Sequence, residues 1–266
     1  MLKLLLFLFL LYLLTLRGRK DHPGLKDLRG WAYAHRGLHG QGVPENSMAA
    51  FRAALEKGYG IELDIHLLKD GNLAVIHDSL LNRTTGQPGH IEDLTTADLE
   101  HYHLEGTEET IPEFMDVLTL YAGKAPLIVE LKPVDGNHAA LTETACEMLS
   151  TYNGPYCLES FDPRCVAWLK KNRPNLIRGQ LSENFTKSRN DLPGWLQFTL
   201  THNMTHLVST PDFVAYKFRD RKDTIGNDLC RKFWKMQGVT WTLKTQEEYD
   251  QAVKEGWIPI FEDFRP

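Results

Sequence analysis

Seven residues in the first half of a 266-residue chain carry side chains suited to moving protons and holding charge: His35 and Arg36, Glu62 and Asp64, His77, and Glu130 and Lys132. An imidazole exchanges protons near neutral pH, so His35 and His77 suit acid–base work. Side chains alternate along a strand, which puts Glu62 and Asp64 on one face, both inward if either is. Inward carboxylates without compensation are costly, and a bound cation is the simplest solution. All-oxygen ligation by Glu62, Asp64 and Glu130 favours Ca²⁺ or Mg²⁺ over zinc, with Mn²⁺ also compatible. The competing arrangement is an ion pair with Arg36 or Lys132, but the excess of acids leaves charge unpaired. Arg36 suits bidentate contact with an anion such as phosphate, with Lys132 as a second positive charge.

These residues need elements that bring them together. Short β-like runs alternate with helical patterns from Trp31 onward, as in a parallel sheet wrapped by helices. Eight strands are expected at Trp31–Ala34, Gly60–Ile65, Leu127–Leu131, Tyr156–Ser160, Leu176–Gln180, His206–Val208, Val239–Leu243 and Ile258–Phe261. Helices are expected over Ser47–Lys57, Asn137–Ser150, Pro163–Asn172, Ile225–Met236 and Gln246–Lys254, from apolar residues at core spacing. Eight such units make an α/β fold of the (β/α)8 TIM-barrel type, in which the carboxyl ends of the strands converge on one mouth. His35-Arg36, Glu62/Asp64 and Glu130/Lys132 fall at the ends of the first three barrel strands and so share that mouth. Residues from about Leu73 to Leu120 break the alternation and read as an ordered insertion with a hairpin strand at Leu73–Ile76.

The ordered series His35-Arg36-Gly37, Pro44-Glu45-Asn46-Ser47, Glu62-x-Asp64, Asp70-Gly71, His77-Asp78 and Arg83-Thr84-Thr85, followed by Glu130-x-Lys132, resembles the glycerophosphodiester phosphodiesterases. The resemblance implies metal-dependent hydrolysis of glycerophosphodiesters to an alcohol and glycerol 3-phosphate. It implies His35 and His77 as the acid–base pair, attack by a neighbouring glycerol hydroxyl on phosphorus, and opening of the resulting cyclic phosphate by water. Glu62, Asp64 and Glu130 become the metal ligands, and Glu45 and Asn46 lie near the mouth. Trp241, at the end of the seventh expected strand, is a candidate to stack on the head group or a core aromatic, and Phe161 is a candidate for an apolar wall. His66 continues the Glu62-x-Asp64 alternation, but the family pattern does not require it, so it is expected to be structural. The resemblance weakens over residues 181–225 and at the end, where IFEDFRP replaces a closing Thr-Asp-x-Pro turn and helix, so barrel closure is expected to depend on the amino-terminal linker or the membrane.

Leu4–Leu16 is apolar except for Tyr12 and Thr15, and is flanked by Lys3 before it and by Arg17, Arg19 and Lys20 after it. The expected organisation is a membrane anchor at residues 1–20, a linker at 21–30 and the catalytic barrel at 31–266. The run is shorter than a full span of about 20 residues. A shallow membrane-bound helix is the alternative to a transmembrane helix. The denser positive charge after the run places the domain on the cytoplasmic side. With 30 basic and 35 acidic residues, the chain has no general attraction to nucleic acid. Four cysteines without Cys-x-x-Cys spacing suggest buried free thiols. Two rival functions remain: phospholipase-D-like hydrolysis of lysophospholipids or sphingolipids, and a catalytically idle membrane-tethered binding protein.

Overall fold

Apolar runs bounded by turn residues form nine strands: β1 Tyr33–His35, β2 Gly60–Leu67, β3 Leu73–Val75, β4 Leu127–Leu131, β5 Tyr156–Ser160, β6 Arg178–Ser182, β7 Phe213–Lys217, β8 Gln237–Leu243 and β9 Trp257–Phe261. The computed structural model describes residues 1–188 and 192–266. Eight strands pair in parallel and close on themselves, because β1 pairs with both β2 and β9, while β3 hangs antiparallel on β2. This is a TIM barrel with surrounding helices. Closure uses the Tyr33↔Ile260 and Ala34↔Phe261 register, so it is supplied by the strands themselves and not by a linker or membrane.

Alternation along each strand sorts the side chains. Ile61, Leu63 and Ile65 of β2 and Leu127, Val129 and Leu131 of β4 face outward, into the same apolar cluster as helix residues Phe51, Ala54, Val117 and Leu141. Inward-facing Tyr33, Ile128, Cys157, Phe213, Val239 and Ile258 fill the lower barrel. The helices begin where caps allow: Ser47 accepts from the Ala50 amide ahead of Met48–Glu56, Asp162 caps Pro163–Asn172, and Thr245 caps Gln246–Lys254. The insertion has its own small core of Leu68, Ile76, Leu81, Ile91, Leu99 and Ile111. All four cysteines are free and buried.

One expected strand is displaced. His206–Val208 lies in a helical turn, His206–Ser209, and the sixth barrel strand is β7, seven residues later at Phe213–Lys217. His206 is buried with Nδ1 3.4 Å from the Leu16 carbonyl, so a short run that reads as strand is a helix seated under the amino-terminal arm. Of the weakly matched stretch 181–225, residues 189–191 lie outside the described residues. The expected helix Ile225–Met236 is a short turn, Ile225–Asp228, continued by a π-helical turn, Leu229–Phe233.

The amino-terminal apolar run forms a 14-residue helix, Leu2–Thr15. At 1.5 Å per residue that is about 21 Å, short of a hydrocarbon core of roughly 30 Å. No helix among the described residues is long and apolar enough to cross a membrane. The following arm does not hang free. Gly18 passes where an added Cβ would lie 2.5 Å from Met236 and 2.6 Å from the Pro211 carbonyl. Arg19 pairs with the buried carboxylate of Asp212. Leu25 and Leu28, within the segment read as a linker, are buried against the lower barrel cluster and plug its floor. Leu28→Ala should lower the unfolding free energy by about 2–5 kcal/mol, measured by urea denaturation. An unchanged midpoint and slope would show that the plug contributes nothing to the fold.

Candidate active site

Register brings the acids together before any loop contributes. His35 lies beside Glu62 across β1–β2, Asp64 beside Glu130 across β2–β4, and Glu130 beside Glu159 across β4–β5. Glu62, Asp64 and Glu130 are all buried, and each offers a carboxylate oxygen within 4.8 Å of the other two. Asp64 Oδ1 and both oxygens of Glu159 are buried without a hydrogen-bond partner among the described residues. Converging carboxylates with unused oxygens fit a divalent cation bound through Glu62, Asp64 and Glu130.

Two cations partly balance this charge. The Arg36 guanidinium reaches Glu45 at 2.9 Å and Asp64 at 3.4 Å, and its backbone amide donates to Glu62 at 3.2 Å. That amide points at the carboxylate because Arg36 takes a left-handed conformation, with φ of 54°. Gly37 follows with φ of 79°, and a Cβ on it would lie 2.8 Å from that of Ala50. Lys132 Nζ lies 3.0 Å from Glu130, 3.5 Å from Asp64 and 3.2 Å from His77 Nε2. Asn46, in the turn before the first helix of the barrel, donates to Asp64 at 2.9 Å.

The insertion supplies His77. The Ile76 amide bonds to the Asp64 carbonyl at 3.1 Å, which brings the next residue to the mouth. His77 Nδ1 is 2.6 Å from Asp78, so Nε2 is left to face Lys132. His35 Nε2 lies 3.9 Å from Glu62 and its Nδ1 lies 3.4 Å from Glu262, which also contacts His39 at 3.4 Å. His66 is committed elsewhere: Nδ1 is 2.6 Å from Glu92 and Nε2 is 3.2 Å from the His77 carbonyl.

Burial lowers the pKa of both catalytic candidates. His77 falls to about 4, with Lys132 and Arg36 adding to burial and Asp64 opposing it. His35 is lowered by burial against its contact with Glu262. Burial raises Glu62, helped by the Asp64 and Glu130 charges, and pushes Glu130 up to about 7 against the pull of Lys132. Burial also raises Glu159 well above the usual carboxylate range. Asp64 goes the other way: burial would raise it, but His77, Lys132 and Arg36 together hold it well below that range. Asp64 is thus held ionised while its neighbours resist ionising.

A narrow cleft of about 40 Å³ is lined by His35, Arg36, Glu62, His77, Glu130 and Trp241, among others. It adjoins an open pocket of about 1220 Å³ that shares His77, Glu130, Phe161 and Trp241 and extends over Phe185, Leu196 and Leu200. All eight predicted residues therefore meet at the mouth. Trp241 packs edge-on against Phe161 at 5.5 Å between ring centroids, forming a wall shared by the two spaces. Two acids were missed, Glu159 and Glu262. Glu159 has a signal in sequence, since it stands two residues from Cys157 on the inward face of an expected strand. Glu262 directly follows the last strand, where a barrel exposes residues to its mouth.

The glycerophosphoryl diester phosphodiesterase family model matches residues 35–265. A glycerophosphodiester phosphodiesterase of Bacillus altitudinis is 42% identical over 107 residues, covering 38% of this chain and 43% of that one. A lysophospholipase D of Homo sapiens is 31% identical over 160 residues, covering 55% of this chain and 48% of that one. The chain thus spans under half the length of these two relatives. The fold is similar to that of an Oleispira antarctica phosphodiesterase in complex with the product sn-glycerol-3-phosphate, with a TM-score of 0.71, 22% identity and coverage of 87% and 92% of the two chains. The match of the family model over nearly the whole barrel, together with a mouth built from the family's ordered motifs, identifies this chain as a member of the glycerophosphoryl diester phosphodiesterase family.

Proposed function

We propose that the chain hydrolyses glycerophosphodiesters to an alcohol and glycerol 3-phosphate in a metal-dependent reaction, with His35 and His77 as its acid–base pair. The observation that carries this reading is the cluster of Glu62, Asp64 and Glu130 within 4.8 Å, with a histidine on either side of it in one cleft. Glu62, Asp64 and Glu130 would hold Ca²⁺ or Mg²⁺, whose chemistry there is to bind phosphate oxygen and acidify a nearby hydroxyl. Arg36 and Lys132 bind the phosphate oxygens. One imidazole takes the proton of the attacking glycerol hydroxyl, and the other gives a proton to the leaving alcohol oxygen as the phosphorus–oxygen bond breaks; water then opens the resulting cyclic phosphate to glycerol 3-phosphate, with the two rings exchanging roles. Burial lowers the pKa of both rings, which favours the neutral form in the one that accepts a proton, while the one that donates starts protonated. Asp78 and Glu262 keep the two rings oriented through Nδ1. Trp241 stacks on the head group.

A second reading, phospholipase-D-like hydrolysis of lysophospholipids, is favoured by the apolar wall of the larger pocket: Phe161, Phe185, Leu196 and Leu200 offer nothing to a soluble glycerol ester beyond the head group. The apolar helix Leu2–Thr15 attaches the enzyme to a membrane, with the barrel on the cytoplasmic side. A reporter fusion active only outside the cytoplasm, placed after Lys20, should stay silent, and a strong signal would reverse the side.

His35→Ala and His77→Ala should each lower turnover of glycerophosphocholine by about 10²–10⁴-fold, and Glu62→Ala or EDTA should abolish it. Full activity in all three variants would defeat the mechanism. Faster turnover of lysophosphatidylcholine than of glycerophosphocholine by the wild type would select the second reading. Because the pKa values of Glu62 and Glu130 are raised, these groups must lose protons to bind a cation, so affinity falls as pH drops. Calorimetry with Ca²⁺ should find tighter binding at about pH 8 than at about pH 6, with proton release visible as a buffer-dependent heat. Equal affinity and no release would remove these carboxylates from the binding site.

A further inference from the structure

The amino-terminal helix and the mouth of the barrel lie at the same end of the molecule. Arg19 bonds to the Leu176 carbonyl at 2.9 Å and pairs with Asp212, both just ahead of the amino-terminal ends of β6 and β7. Three residues earlier, the Leu16 carbonyl lies 3.4 Å from His206 and 3.7 Å from Cys230. One turn further back, the Tyr12 hydroxyl donates to the His202 carbonyl at 3.3 Å. His202 follows Thr201, whose carbonyl accepts from Tyr216 of β7, and Leu200, whose carbonyl accepts from Ser182 at the carboxyl end of β6. Read from Arg19 back to Tyr12, the chain therefore climbs the barrel wall from floor to mouth. From Tyr12 the helix continues to Leu2, about 15 Å further.

From Leu4 to Leu11 the projecting helix is apolar on every side, and Lys3 sits near its tip. Exposure is between 43% and 81% for each residue from Leu4 to Leu11 and for Leu2. A protein groove would cover one stripe of such a helix and leave the rest in water, whereas lipid covers the whole circumference.

The mouth adds a second apolar surface on this side. Helix Gly194–Thr201 turns Leu196 and Leu200 into the large pocket and leaves Trp195 at 70% and Phe198 at 54% exposure on its outer side. Phe198 stacks on His202 at 4.2 Å, and His202 meets Tyr12 edge-on at 6.4 Å, so the outer ridge runs without a break onto the projecting helix. Ile225, beside the residue that Tyr12 touches, is 59% exposed on the other flank of that helix.

We propose that the barrel seats its mouth on a phospholipid bilayer, with the projecting helix inserted and the outer ridge of Gly194–Thr201, led by Trp195 and Phe198, lying in the interface. Tryptophan favours that depth, and phenylalanine is used beside it on the apolar face of interfacial helices. The orientation rests on the membrane attachment proposed above and adds to it that the substrate pocket opens toward lipid.

The test uses the full chain with an environment-sensitive dye on Phe198→Cys and, separately, on Asn153→Cys, an exposed residue in the turn before β5 at the floor. The four native thiols are buried, so labelling is confined to the new site. With phosphatidylcholine vesicles the labelled chains should float with lipid. The dye at position 198 should shift to the blue with a several-fold rise in emission, while the dye at 153 should stay as in buffer. Chains that float with both dyes unchanged, or with only the floor dye responding, would overturn the orientation while leaving the attachment intact. Chains that do not float would overturn both. Turnover of glycerophosphocholine in buffer, measured on the same samples, reports separately on the catalytic reading.

Discussion

Four carboxylates, those of Glu62, Asp64, Glu130 and Glu159, are withdrawn from water at the top of one barrel, and their mutual repulsion is the constraint that organises everything around them. Two fixed cations, Arg36 and Lys132, are too few to neutralise four acids. The remainder is handled by keeping some of the acids reluctant to ionise and by leaving oxygens aimed at a shared point. Removing either cation would leave a buried negative charge uncompensated, a loss generally larger than that of a surface ion pair. This explains why so much nearby structure is devoted to holding Arg36 still: a left-handed backbone, a glycine after it with no space for a side chain, and Glu45 gripped by both Arg36 and Arg83.

The lower half of the barrel solves the opposite problem. Its interior is apolar and closely filled, so it offers the charged upper half a stiff base and no water from below. The two halves meet within single strands. Ile128 and Glu130 are two residues apart on the inward face of β4, and Cys157 and Glu159 stand likewise on β5. A register slip of one residue would turn every acid outward into the helix layer, where Leu63 and Val129 now pack. The catalytic arrangement is therefore protected by the same packing that stabilises the fold.

Seven of the eight barrel strands, and the convergence of the eight expected site residues on one mouth, were legible in the chain, because period-two alternation and an ordered set of motifs both point to the same face. The sixth strand was not. Phe213–Lys217 and His206–Val208 are both short apolar runs, and the latter is helical, with His206 buried against the carbonyl of the distant Leu16. The plugging of the floor by Leu25 and Leu28 was hidden for a similar reason, since a charged stretch with Gly and Pro reads as a tether and its two leucines carry no periodic signal. Glu262 was obscured by the departure of the carboxyl terminus from the family's usual ending, although its place after the last strand is the one that reaches His35.

The tight passage at Gly18 has a consequence for how the enzyme would search. With Met236 and the Pro211 carbonyl closing on that residue, and Arg19 fastened to Asp212 just beyond it, the arm between helix and barrel has no slack. A barrel on a loose tether would tumble and sample the solution in all directions. Here helix and barrel turn as one body, so the catalytic mouth inherits whatever angle the helix takes. On the membrane attachment proposed above, encounters would be confined to molecules that diffuse within the same plane, a two-dimensional search.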